Sequence, residues 1–149
     1  AGTDPAGARA SAMDMLARRE HSERELAGKL ASRGYDESII GETIEGLVAD
    51  GLLSNARFVE SFVHSRFQRG QGPLKIRAEL RERGIDDAAI DDCLEAYAGQ
   101  WPELADQVRE KKFGASLPGD FRERSRQMRF LQQRGFDAEQ IRSVLRDDV

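Results

Sequence analysis

The chain has 149 residues, 34% of them charged and only 4 of them Pro, and a formal net charge of −4. That composition suits a soluble, helix-rich protein and argues against indiscriminate nucleic-acid binding, which favours basic domains. There is no long apolar run for a membrane span, no signal-peptide pattern, and a single Cys93 that excludes an internal disulfide, so a reducing, cytoplasmic setting is expected.

Residues 1–7 hold nothing to pack and read as a flexible tail. From about Ala8 to Arg19, Ala12, Met13, Leu16 and Ala17 recur at helical spacing. Ser22 with Glu25 forms a capping-box pattern, starting a helix that bears Leu26 and Leu30 and stops at Gly34. A third helix follows Asp36, with Ile40, Ile44, Leu47 and Val48 on one face, and ends at Asp50-Gly51. Ser54 caps the next, about Asn55 to Gln68, whose wide stripe of Phe58, Val59, Phe62, Val63 and Phe67 predicts more than one packing neighbour. Gly70-Gln71-Gly72-Pro73 is a hinge, and Pro73 suits the first turn of a helix bearing Ile76 and Leu80. After Asp86, Ile90, Leu94 and Tyr97 carry another. Trp101-Pro102 opens a helix with Leu104, Ala105 and Val108, and Gly114–Gly119 reads as a loop. Asp120 with Glu123 repeats the cap spacing before Met128 and Leu131. Ile141 and Leu145 mark a last helix cut short at Val149.

One pattern organises these elements. Leu-x-x-Arg-Gly-(aromatic or Ile)-Asp occurs at Leu30–Asp36, Leu80–Asp86 and Leu131–Asp137, with Gly34, Gly84 and Gly135 lying 50 and 51 residues apart. A fixed period of that size marks an array of one supersecondary unit. In each copy Leu ends an apolar stripe, Arg sits in the last turn, Gly takes the left-handed position, and Asp36, Asp86 or Asp137 caps the next helix. Arg33, Arg83 and Arg134 suit either helix-end stabilisation or a ligand contact. No Val/Ile/Thr alternation between hairpin turns predicts a sheet. The expectation is an all-α, elongated array of three tandem three-helix repeats, about nine helices, over residues 8–53, 54–101 and 102–149.

Catalytic chemistry has little to stand on. His21 and His64 lie far apart, neither at metal-ligand spacing, and no phosphate loop, nucleophile elbow or zinc-finger spacing occurs. His21 reads as a solvated boundary residue and Cys93 as a small core hydrophobe. Neither an enzyme nor a cofactor, metal or small-molecule substrate is expected. Trp101 is either a wedge between repeats or an exposed anchor.

The basic residues say more. Segment 11–53 holds five basic against nine acidic residues, 54–102 seven against eight, and 103–149 ten against nine, so positive charge collects toward the C-terminus. Arg57, Arg66, Arg69, Lys75, Arg77, Arg81 and Arg83 surround the Gly70–Pro73 hinge. Arg109, Lys111, Lys112, Arg122, Arg124, Arg126 and Arg129 bracket the Gly114–Gly119 loop, and Arg122, Arg126 and Arg129 share one helical face. Arg suits forked recognition of carboxylate or phosphate, so these two clusters are the candidate binding surfaces.

The three hinges, with Leu53-Ser54-Asn55-Ala56-Arg57-Phe58 and the Gly70–Ile85 run Gly-x-Gly-Pro-x-x-Ile-x-x-x-Leu-x-x-x-Gly-Ile, resemble the RecX regulatory proteins of bacteria over about residues 10–147. Phe130-Leu131-Gln132-Gln133-Arg134-Gly135-Phe136 resembles that family's C-terminal part. Ser54-Asn55 departs from the acidic residues many members carry there, although Ser caps a helix as Asp does. The resemblance implies a cytoplasmic modulator of RecA in recombination, DNA repair and the SOS response. It would bind RecA or its nucleoprotein filament and mostly inhibit filament growth, ATP hydrolysis and strand exchange. The rival reading is a direct DNA-binding protein built from helix-turn-helix-like units, contacting single- or double-stranded DNA through its basic faces. A structural helical adaptor is a third.

Overall fold

The computed structural model describes residues 2–146; Ala1 and 147–149, the last of which belong to the third expected repeat, lie outside the described residues. Among the described residues there are nine helices and no strand. They are α1 Pro5–Arg18, α2 Glu23–Ser32, α3 Glu37–Ala49, α4 Asn55–Gln68, α5 Pro73–Glu82, α6 Asp87–Glu95, α7 Trp101–Phe113, α8 Phe121–Gln133 and α9 Ala138–Leu145. Each expected hinge separates two helices. Gly34, Gly84 and Gly135 have φ of 91°, 81° and 99°, a region that penalises any residue with a Cβ. Asp36, Asp86 and Asp137 then accept from the backbone N–H of Ile39, Ala89 and Gln140 at 3.1, 2.9 and 2.7 Å. Ser22 and Glu25 form the full reciprocal box, whereas Glu123 leaves Asp120 to cap alone and turns its carboxylate to Arg126 and Gln127.

The first helix starts earlier than its apolar pattern suggests. Pro5 stands at N1, where its missing N–H costs nothing, so helix covers residues first read as tail. Gly2 is tied down too, its carbonyl accepting from Asp36 N–H at 3.0 Å.

The chain packs as two compact units, residues up to Ser61 with Leu80–Ala89, and Phe62–Glu79 with Ile90 onward. In the first, Ala12, Met15, Leu26, Leu30, Ile40, Leu47 and Leu53 make the buried core of α1–α3 and the turn after α3. In the second, Leu104, Leu131, Phe136, Ile141, Val144 and Leu145 are buried among α7, α8 and α9. Trp101 is a buried wedge rather than an exposed anchor. Its ring lies 5.4 Å from Phe67 and 5.6 Å from Tyr97. Phe58 and Phe62 are buried, Phe67 and Cys93 half-buried.

Candidate functional site

The candidate cations fall into three groups. Four of them are occupied within their own unit. Arg57 Nε donates to Glu20 at 2.7 Å and its Nη2 to the Gly51 carbonyl at 3.0 Å. Arg66 pairs with Glu79 at 3.3 Å while lying 4.3 Å over the Phe62 ring. Arg77 pairs with Asp91, and Arg81 with Asp87 at 2.7 Å. These contacts link neighbouring elements, so the side chains already have structural roles.

The second group is Arg109 alone. It is 1% exposed and therefore lies off any surface. From α7 its guanidinium reaches into the following loop, donating to the carbonyls of Gly114, Ala115 and Ser116 at 3.2–3.4 Å and to Asp106 at 3.3 Å. A planar fork suits this work because several donors face several carbonyls in fixed directions. Arg109 organises the loop that the sequence could only mark as irregular.

The third group is exposed. Arg69, Lys75, Lys111, Arg122 and Arg129 pair with no carboxylate among the described residues. Lys112 lies 5.6 Å over Phe130, and Arg126 lies 5.1 Å over Phe113 while also pairing with Glu123 at 3.2 Å. Phe113 and Phe130 meet edge to face at 5.2 Å. Two half-buried rings thus underlie a cationic surface made by α7 and α8. Phe121, at the head of α8, is 83% exposed, and Leu117 just before it is also exposed. An aromatic ring that open to water buries nothing in its own fold. Periodicity missed it because Phe121 sits at a helix start, where no stripe tests it.

The hinges have a role beyond chain reversal. The hinge of the third repeat sits on the start of α5. The N–H groups of Gly72 and Leu74 donate to the carbonyls of Arg134 and Gly135 at 2.7 and 2.9 Å. Arg134 Nη2 donates to the Arg69 carbonyl at 2.6 Å. A Cβ on Gly72 would stand 2.4 Å from the Gly135 carbonyl carbon, and one on Gly70 2.9 Å from Arg134 Nη2. The Gly-x-Gly-Pro run is therefore small because another hinge rests on it. Likewise the hinge of the middle repeat meets the start of α2. Arg83 Nε lies 3.5 Å from Glu25, and a Cβ on Gly84 would meet Arg24 at 2.8 Å. Two of the hinge arginines thus hold the neighbouring repeat.

His21 is not the solvated residue its sequence context suggests. It is 2% exposed; its Nδ1 donates to the Arg19 carbonyl at 3.1 Å, leaving Nε2 to accept from Lys29 Nζ at 2.8 Å. Burial, then the cations of Arg19 and Lys29, outweigh the Arg19 carbonyl and Glu25 and hold its pKa below the ordinary 6.5. Among the described residues no group of three His, Cys, Asp or Glu could hold a metal ion, and no helix is long and apolar enough to cross a membrane.

Family comparison fits this architecture. The RecX first, second and third three-helix domain models match residues 8–47, 54–94 and 100–145. The chain belongs to the RecX family. The Regulatory protein RecX of Halorhodospira halophila is 50% identical over 97% of this chain and 89% of its own length. That of Pseudomonas savastanoi pv. phaseolicola is 43% identical over 95% and 91%. The crystal structure of RecX from Lactobacillus salivarius shares the fold with a TM-score of 0.81 at 23% identity, over 96% of this chain and 95% of that one. Membership carries a regulatory role.

Proposed function

We propose that the chain regulates RecA without catalysis of its own, binding the recombinase or its filament in the cytoplasm and restraining filament growth, ATP hydrolysis and strand exchange. Family membership supports this reading, and the surface that best suits it is the exposed α7–α8 face. The observation that carries it is Phe121, 83% exposed at the head of the helix that carries Arg122, Arg126 and Arg129. An exposed aromatic beside exposed arginines, of which Arg122 and Arg129 pair with no carboxylate among the described residues, is the composition of a protein-binding centre, and the charge favours an acidic partner surface. Arg69 and Lys75 are secondary contacts. Arg57, Arg66, Arg77, Arg81 and Arg109 are left out because their own fold engages them.

The test is the substitution of Phe121→Ser with Arg122→Glu and Arg129→Glu, assayed against RecA's DNA-dependent ATPase. Inhibition should weaken at least ten-fold while helical content is unchanged. A folded variant that inhibits as well as the parent would overturn the assignment. Pull-down with RecA, with and without single-stranded DNA and nucleotide, separates this reading from direct DNA binding, which would show salt-dependent affinity for DNA in the absence of RecA.

A further inference from the structure

The first repeat, the most acidic by sequence, contains a recess lined by cations. Met15, Arg18, Arg19, His21, Lys29, Ser32 and Arg33 line an open volume of about 450 Å³ between the end of α1 and the last turns of α2, and none of the seven is acidic. Glu25, one helical turn before Lys29, is already engaged. Arg19 donates to both its oxygens at 3.2 Å, Ser22 N–H donates to one at 3.1 Å, and Arg83 lies 3.5 Å away. Glu20, between the lining residues Arg19 and His21 in sequence, is held by Arg57. Arg18, Lys29 and Arg33 therefore face the recess without a carboxylate partner among the described residues.

Their placement is built rather than incidental. His21 is buried, and its Nε2 fixes the Lys29 ammonium at 2.8 Å, which leaves two of the three ammonium N–H groups to donate elsewhere. The backbone carbonyl of Arg19 fixes His21 in turn. Arg33 is steadied by a hydrogen bond to Ser11. The Lys29 pKa is held below its ordinary value, by burial first and then by the Arg19 and Arg33 cations against the opposing Glu25, as befits crowded positive charge without its anion.

We infer that this recess is a phosphate-binding site, taking the phosphate of a free nucleotide or of a nucleic-acid strand. Lys29 supplies a point charge, Arg33 and Arg18 supply guanidinium forks, and Ser32 supplies a hydroxyl. Cations converging from two helices match a tetrahedral anion with several oxygens better than one planar carboxylate, and the volume exceeds what an acidic side chain would fill. The site shares no residue with the α7–α8 surface and does not depend on the identity of the regulated partner.

The test uses the full chain, isotope-labelled, in NMR titrations at constant ionic strength with sodium pyrophosphate, an eight-residue oligothymidylate, and a tetraglutamate peptide. Saturable shifts confined to residues 15–33 are expected with pyrophosphate or oligothymidylate. Lys29→Gln and Arg33→Gln should each weaken them about ten-fold. Arg18→Gln, which leaves the His21–Lys29 contact intact, should weaken them as well, with unchanged helical content checking the fold. Tighter binding of pyrophosphate assigns the site to free phosphates, and tighter binding of the oligomer assigns it to a strand. No saturation with either phosphate ligand, undiminished binding in the variants, or preference for tetraglutamate would each overturn the inference.

Discussion

Replacing Gly72 with Ala tests the docking of one hinge on the neighbouring repeat. The new Cβ would stand 2.4–2.6 Å from the carbonyl carbon and oxygen of Gly135 and the nitrogen of Phe136, all backbone atoms that cannot swing aside. The hinge must lift, which breaks the bonds from Gly72 and Leu74 N–H at 2.7 and 2.9 Å. Two backbone hydrogen bonds at about 1 kcal/mol net each, plus about 1–3 kcal/mol for overpacking, predict a loss of about 3–5 kcal/mol. Against typical stabilities of about 5–15 kcal/mol that is a large fraction. Urea unfolding followed by circular dichroism reads the loss, and hydrogen exchange at Leu74 should accelerate. Gly28→Ala is the opposite control: inside α2, with nothing within 4 Å of its Cβ, it should stabilise by about 0.5–1 kcal/mol. If Gly72→Ala costs less than about 0.5 kcal/mol and leaves Leu74 protected, the hinge does not dock as described.

His21 makes stability pH-dependent. Its folded pKa lies below the unfolded value near 6.5, so its contribution is complete above that pH and is lost as pH falls toward the folded value. Urea midpoints at pH 7.5 and 5.5 should differ in the parent more than in His21→Gln. Arg109→Ala should cost about 2–4 kcal/mol by orphaning three loop carbonyls, and Arg109→Lys should not restore the loss. Limited proteolysis would then cut within 114–119 in both variants. Asp137→Ala removes a full capping box from α9 and should cost about 1 kcal/mol in thermal unfolding. Phe121→Ser alone should change the unfolding free energy by less than about 0.5 kcal/mol, because so exposed a ring loses almost nothing.

The helices and hinges were legible because their causes are local. Asp36, Asp86 and Asp137 each cap an N–H three residues ahead, and a glycine at left-handed φ needs only its own backbone as a reason. The candidate surface was only half legible. Arg57 and Arg77 looked available until folding brought Glu20 and Asp91, 37 and 14 residues away, against them. His21 misled for the same reason: folding buries it and brings Lys29 of α2 against its ring. The cations at Arg18, Lys29 and Arg33 disappeared into the negative total of their segment, since a charge count carries no direction in space.

The hinge docking sets the packing out of step with the sequence. By sequence, a module runs from one inter-repeat boundary to the next. By packing, each compact unit joins the start of one repeat's second helix to the hinge of the following repeat, so the middle repeat is divided at Ser61–Phe62, Glu79–Leu80 and Ala89–Ile90. Exchanging whole repeats between relatives would therefore keep every cap intact and still mismatch the seam. A transplanted third repeat must bring a backbone that accepts Gly72, and a transplanted second repeat must supply the bare glycines on which that backbone rests. Residues that have to change together lie in neighbouring copies, at the start of the second helix in one and at the hinge in the next.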